Sequence, residues 1–163
     1  MLPYSYIHEA SLDQLLRWWN GIDPLPKDFE VGGLDEVAYG LSKHRPEGVQ
    51  ALKRSLEASN LERHRSALYF LAFPDIADDQ VRAALVRAFR SEEPTLKYTA
   101  LWGFIHLGYF PLQQASLTAL MEGSDQRLAA LAMVYLSRVP GRFSQDPPRG
   151  APKPEPADAG VRL

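Results

Sequence analysis

Four short stretches of this chain share one pattern: VAYGL at 37–41, ALYFL at 67–71, ALWGF at 100–104 and, more loosely, ALAMV at 130–134. They lie 30, 33 and 30 residues apart. The stretches between them also align: LDQLLRWW from Leu12, VQALKRSL from Val49, VRAALVRAF from Val81 and LQQASLTAL from Leu112, at offsets of 37, 32 and 31. A unit of two helices recurring every 30–37 residues cannot bury its apolar face alone, so neighbouring units must stack. The expected fold is therefore all-α, an α–α solenoid of about four helix pairs. No stretch alternates with period two, and no sheet is expected.

Local signals place eight helices on this repeat. Leu12, Leu15, Leu16 and Trp19 lie on one helix face, with Ser11 as N-cap and Gly21 as stop. A second helix, 34–44, lies between Gly33 and Pro46. Val49, Leu52 and Leu56 mark a third, with Pro46 near its first helical position. The fourth spans 61–73 and stops before Pro74; the fifth opens at Asp78 or Asp79. Pro94 sits in the first turn of the sixth, which runs to Leu107 with Gly108 as its C-terminal cap. The seventh covers 112–121 behind Pro111, and the eighth runs from a Ser124 cap to Arg138. The seven prolines before residue 140 fall mostly at these borders, where proline costs a helix least.

The other six of the 13 prolines lie in residues 140–163. That stretch has no apolar periodicity and cannot bury enough surface to offset its ordering entropy. The expected division is a helical domain over 1–139 and a disordered proline-rich tail over 140–163. The tail contains no Pro-x-x-Pro spacing, the usual mark of a ligand for proline-reading domains.

The segment DDQVRAALVRAFRSEEPTLKYTALWGFIHLG resembles a HEAT-type (armadillo-type) repeat. VRAALVRAF is similar to the first helix of such a unit, and Ala100–Leu101 to the tight-packing site of the second. The resemblance extends well over 46–138 and loosely over 11–44, where a 13-residue linker, Gly21–Gly33, separates the first two helices. It implies architecture, a right-handed α–α solenoid, and not activity; HEAT-like proteins are mostly binding scaffolds and adaptors, with a minority of enzymes and nucleic-acid readers.

Composition narrows the roles further. With 18 basic and 20 acidic residues the net charge is −2, which argues against non-specific nucleic-acid binding as the main task. Zero cysteines exclude disulfides, thiolate metal sites and cysteine catalysis. No apolar run is long enough to span a membrane and the first residues lack a signal-peptide pattern, so a cytoplasmic monomer is expected.

In a solenoid the second helix of each pair lines the concave face. On a helical wheel the core arc of 61–73 is His64, Ala67, Leu68 and Leu71, and the opposite face holds Glu62, Ser66, Tyr69 and Phe73. For 94–107 the core arc is Ala100, Leu101, Phe104 and Leu107, and the opposite face holds Thr95, Thr99, Trp102 and His106. One column then reads Tyr39, Tyr69, Trp102, Ala132, with Phe73 and His106 forming a second. Partly exposed rings of this kind suit a protein-binding surface, because they offer large rigid contact area at low entropy cost. They would equally well pack between neighbouring units.

Charge is uneven. Residues 1–40 carry net −5 and residues 41–91 net +3, with Lys43, Arg45, Lys53, Arg54, Arg63 and Arg65 clustered. Lys43, Arg45, Lys53, Arg63 and Arg65 are a candidate basic rim for phosphates or an acidic partner. Asp35, aligned with Arg65, is a candidate to neutralise it instead. Catalytic constellations are missing from the sequence. There is no phosphate-binding glycine motif, no His-Glu-x-x-His and no nucleophile elbow. His8–Glu9 is a single dyad, whereas the HEAT-repeat metal hydroxylases need several, and His44, His64 and His106 are dispersed. In the linker, Asp23, Asp28 and Glu30 lack the ligand spacing of a calcium loop. Of Trp18 and Trp19, one ring should face the core and the other should lie under this linker or face outward. The sequence points to a non-enzymatic module without cofactor or metal that binds another protein. A small bacterial adaptor or an immunity-type inhibitor would be one form. The alternative is a HEAT-like nucleic-acid binder using the basic residues within 43–65. A small-molecule or phospho-ligand enzyme using His64 or His106 is a third, supported by proximity alone.

Overall fold

Side-chain caps decide where most of these helices begin. Ser11 accepts the Gln14 amide at 3.2 Å and opens α1, Leu12–Trp19. Asn60 and Asp78 do the same for α4, Leu61–Leu71, and α5, Asp79–Arg90. The computed structural model describes residues 9–29 and 33–141, and every regular element among them is helical. After α1 a 3-10 turn, Lys27–Phe29, precedes α2, Gly33–Lys43, and α3, Glu47–Arg54. Then follow α4, α5, α6 (Pro94–Leu107), α7 (Gln114–Glu122) and α8 (Gln126–Arg138). The chain is all-α over these residues. Residues 140–141 are the only part of the expected tail that is described; the remainder, with His8 and Glu30, lies outside the described residues.

Boundaries follow the sequence reading closely. Pro46 adjoins the first helical position of α3, as expected, but α3 ends at Arg54 and α4 at Leu71, each two residues short of Leu56 and Phe73. Asp125 and not Ser124 caps α8, because its carboxylate accepts the amides of both Arg127 and Leu128. Helix α7 starts two residues late, at Gln114, since the Leu112 amide donates to the Tyr135 hydroxyl at 3.0 Å and holds the preceding residues extended. Gly108 ends α6 in the left-handed conformation, φ 61°.

The even-numbered helices pack on one another in order, α2 on α4, α4 on α6, α6 on α8. The odd-numbered helices cover them: α1 and α3 lie on α2, α5 on α6 and α7 on α8. Pairs bridging the even helices keep a nearly constant sequence offset from one end to the other. Asp35 meets Arg65, Tyr39 meets Phe70 and Arg45 meets Asp75. Tyr69 meets Trp102 and Phe73 meets His106. Phe104 meets Tyr135. The near-constant offsets mean that α2, α4 and α6 run parallel.

Leu15, Trp19, Leu41, Leu52, Leu68, Leu71, Leu85, Leu101, Phe104 and Tyr135 are fully buried between the two sets of helices. The repeated Ala-Leu pairs, Ala67–Leu68 and Ala100–Leu101, are buried as well. Trp19 is the core-facing ring of its pair and donates its indole N–H to the Ser55 hydroxyl at 3.0 Å. Trp18 lies edge-on to Phe29 of the linker, centroids 5.6 Å apart. The wheel needs three corrections. Ser66 and Thr99, assigned to the outer face, are buried; Ser66 donates to the Asp35 carboxylate at 2.5 Å and Thr99 to the Thr95 carbonyl at 2.9 Å. His64, assigned to the core arc, is only half-buried.

His64 gives the fold a pH response. Burial, then the Arg87 guanidinium, pushes its pKa below the ordinary histidine value, against a smaller opposing effect of Glu57. The folded chain therefore favours neutral imidazole, while the unfolded chain protonates near the ordinary ~6.5. Its stabilising contribution is complete above that value and is lost as pH falls through the depressed folded pKa. The urea midpoint should decline over that interval, and His64→Gln should flatten the decline. An unchanged slope in the variant would show that His64 is not its source.

Candidate aromatic interaction surface

Parallel, register-matched helices carry matching positions into rows, and one row is aromatic. Tyr69 of α4 stacks on Trp102 of α6 with centroids 4.2 Å apart and planes at 22°. Trp102 in turn stacks on His106 one turn further along α6, at 4.7 Å and 11°. Phe73, just beyond α4, stands edge-on to His106 at 4.9 Å and to Trp102 at 6.1 Å. The sequence-predicted pair Tyr69 and Trp102 is thus in direct contact, and so is the second column of Phe73 and His106. Aromatic pairs of this kind contribute about 0.5–1.5 kcal/mol beyond the area they bury.

Tyr39 of α2 joins through a residue the sequence reading passed over. Phe70 bridges Tyr39 at 6.1 Å and Tyr69 at 4.9 Å. The aligned positions on α2 and α6 are Gly40 and Gly103; a ring between two glycine positions is the signal that marked Phe70. At the other end Ala132 is not a surface position but fully buried core. Phe104 and Tyr135 lie side by side, so α8 matches α6 at an offset of 31 and not 30. The true counterpart of Trp102 is Met133, which is 63% exposed. The loose ALAMV match hid this one-residue slip. Tyr98, one turn before Trp102 and 40% exposed, extends the apolar surface along α6. His106 is exposed, while Tyr39, Tyr69, Phe70, Phe73 and Trp102 are partly exposed.

The basic residues do not gather. Because α2 and α4 are parallel, Lys43 and Arg45 stand at the C-terminal edge of the even helices and Arg63 and Arg65 at the N-terminal edge. An 11-residue helix separates those edges by about 16 Å. Lys53 belongs to α3, in the other set of helices. Most of these cations have partners inside the chain. Arg45 grips Asp75 with a carboxylate contact of 2.6 Å and a carbonyl contact of 3.1 Å. Lys53 pairs with Asp78, and Arg65 holds Asp35 at 2.7 and 2.8 Å, as the alignment anticipated. Arg63 lies over the Trp19 ring at 5.8 Å, its Nε buried without a hydrogen-bond partner. Lys43 sits over the Tyr39 ring at 4.8 Å, beside the aromatic row. Hydrogen bonds from Arg45 and from Lys53 hold the Asp75 and Asp78 carboxyls below the ordinary carboxylate range.

Among the linker carboxylates, Asp23 is held by Arg17 at 2.8 and 2.9 Å and by Gln14 at 3.3 Å. The Asp28 side chain and Glu30 lie outside the described residues. Among the described residues no three His, Asp or Glu side chains converge, and no helix is long and apolar enough to cross a membrane. Glu36, one turn before Tyr39, has a buried Oε2 without a partner, and burial raises its pKa. An open recess of 480 Å³ lies between the start of α5 and the end of α6, lined by Asp79, Arg82, Leu107 and Tyr109. A recess of 60 Å³ adjoins the aromatic row at Tyr39, Lys43, Phe70 and Phe73.

Comparison of the chain with protein-family models, curated proteins and solved structures finds no match.

Proposed function

We propose that this chain is a non-enzymatic protein-interaction module, a HEAT-like right-handed solenoid of about four helix pairs acting in the cytoplasm as a monomeric adaptor or inhibitor. Its partner is a protein that docks along the even-numbered helices. The observation that carries this reading is the unbroken row from Tyr39 through Phe70, Tyr69 and Phe73 to Trp102 and His106. Rigid amphipathic rings at such positions are the side chains that dominate protein-binding energetics. The nucleic-acid alternative has weaker support, because Arg45, Lys53 and Arg65 are each engaged by an aspartate.

Affinity capture from the native host tests the reading. Wild-type chain and the Tyr69→Ala/Trp102→Ala variant are compared at equal helicity, measured by circular dichroism. The variant should lose a protein that the wild type retains. Equal recovery of every captured protein would remove the row as the binding surface.

A further inference from the structure

The stack of even helices ends on a face that is apolar and bare. Leu128, Ala132 and Tyr135 are the buried side of α8, which packs on α6 and α7. At about 100° per residue the opposite side reads Arg127, Ala130, Val134 and Arg138, with Met133 and Ser137 beside it. All six are exposed. Inside the stack the recurring pattern buries its apolar residues: Ala67, Leu68, Ala100 and Leu101 are each 0% exposed. On α8, by contrast, Met133 is 63% and Val134 41% exposed, the only adjacent pair of exposed large apolar side chains among the described residues.

Two free cations bracket this apolar centre. Arg127 and Arg138 lie on one stripe, three turns or about 16 Å apart. Arg17, Arg45, Arg65, Arg82 and Arg87 each hold a carboxylate of their own chain. No hydrogen bond or ion pair holds the guanidinium of Arg127 or of Arg138. Arg127 also stands in the first turn of α8, where the helix dipole disfavours a cation, so its charge does not serve the helix itself.

We propose that this face of α8 receives an amphipathic helix of another protein, its apolar stripe on Ala130, Met133 and Val134 and a carboxylate on each arginine. Helices dock on such faces through apolar anchors one turn apart. Guanidinium groups take carboxylates through paired hydrogen bonds, and an unbranched methionine adapts to whatever side chain lies on it. A second copy of this chain fits badly. In a two-fold pair of α8 helices, parallel packing sets each arginine against its own equivalent. Antiparallel packing over the apolar centre sets Arg127 against Arg138. Both bring like charges together. The face is also small, about 20 Å by 10 Å for a 13-residue helix, against about 800 Å² per partner in a stable interface. An acidic helix meets complementary charge instead, and a face of this size suits a transient complex. None of these residues belongs to the row from Tyr39 to His106.

The probe is a designed alanine- and glutamine-based helical peptide with a leucine stripe between two glutamates three turns apart. It is titrated into the isotope-enriched full chain and followed by amide shifts, which should centre on Gln126–Arg138. The same peptide with lysines for the glutamates should bind about tenfold more weakly, since two exposed ion pairs become repulsions. Arg127→Glu/Arg138→Glu should reverse that preference. Met133→Asp/Val134→Asp should abolish binding of both peptides. All four positions are exposed, so helicity should stay at the wild-type level. The absence of shifts, equal affinity for the two peptides, or binding that survives Met133→Asp/Val134→Asp overturns the proposal. A dimer in sedimentation that this variant dissociates also overturns it, because a second copy would then be the occupant. So do shifts of residues 142–163 that the variant produces without peptide, the chain's own end being the occupant in that case. Tyr69→Ala/Trp102→Ala should bind the peptide as wild type does; loss there overturns the proposal, because the peptide would then sit on the aromatic row. Equal partner capture by that variant removes the aromatic-row reading and leaves the α8 face standing.

Discussion

Phe104→Ala should cost about 3–5 kcal/mol of folding free energy, the usual range for truncating a fully buried phenylalanine. The ring is 0% exposed and sits where four parts of the chain meet. It contacts Phe89 of α5 at 6.2 Å, Tyr109 beyond α6 at 5.7 Å and Tyr135 of α8 at 6.4 Å. Phe89 and Tyr135 are fixed by their own helices and Tyr109 by its amide bond to the Phe104 carbonyl, so the site cannot collapse around the void, and the cavity term adds to the lost transfer energy. Domains of this size are stable by about 5–15 kcal/mol, so the loss is a large share of the total. The melting temperature should fall by roughly 10 °C. Urea titration checks the free energy, with an unchanged slope showing that the unfolded state is the same. Leu107→Ala, at a half-buried position three residues away, should cost clearly less. Equal losses at the two sites would contradict the burial pattern.

Gly48→Ala should also destabilise, although intrinsic propensity points the other way. In an exposed helix alanine is favoured over glycine by about 1 kcal/mol. Gly48 lies in the first turn of α3, and a Cβ built there meets the Leu41 carbonyl oxygen of α2 at 2.1 Å and the His44 Cβ at 3.1 Å. The obstacle is backbone at the end of a buried helix, so relief requires moving α2 against α3. Overpacking typically costs about 1–3 kcal/mol, and the result should lie at the top of that range or above. Differential scanning calorimetry reads the effect. A melting temperature equal to or above wild type would show that the α2–α3 junction is looser than the close approach requires.

Much of this all-helical architecture was legible because the same short pattern recurs along the sequence. The spacing of VAYGL, ALYFL and ALWGF anticipated which helices pack on which, and through them the Asp35–Arg65 ion pair. Caps such as Ser11, Asp78 and Gly108 were readable from local chemistry alone. The misplacements share a cause: a helical wheel treats each helix separately. Ser66 looks outward on a wheel and is buried because Asp35 of α2 lies over it, and Thr99 is buried too, its hydroxyl satisfied by the Thr95 carbonyl of its own helix. Lys43 and Arg45 were expected to share a rim with Arg63 and Arg65, and the two pairs stand at opposite edges because α2 and α4 are parallel. Phe70 was passed over because its role depends on Tyr39 of the neighbouring helix. Ala132 was misplaced because ALAMV fits the repeat at two registers, and only the contact between Phe104 and Tyr135 selects one.

The claim that the aromatic row is a binding surface and not part of the folding core is tested most directly by calorimetric titration. The captured partner is titrated into wild-type chain and into Tyr69→Ala/Trp102→Ala. Two central aromatic hot spots are worth at least about 2 kcal/mol of binding, so the variant's Kd should rise by roughly thirtyfold while its helicity stays at the wild-type level. The same Kd for both chains would contradict the claim, and so would a variant that no longer folds, since that would make the two rings core.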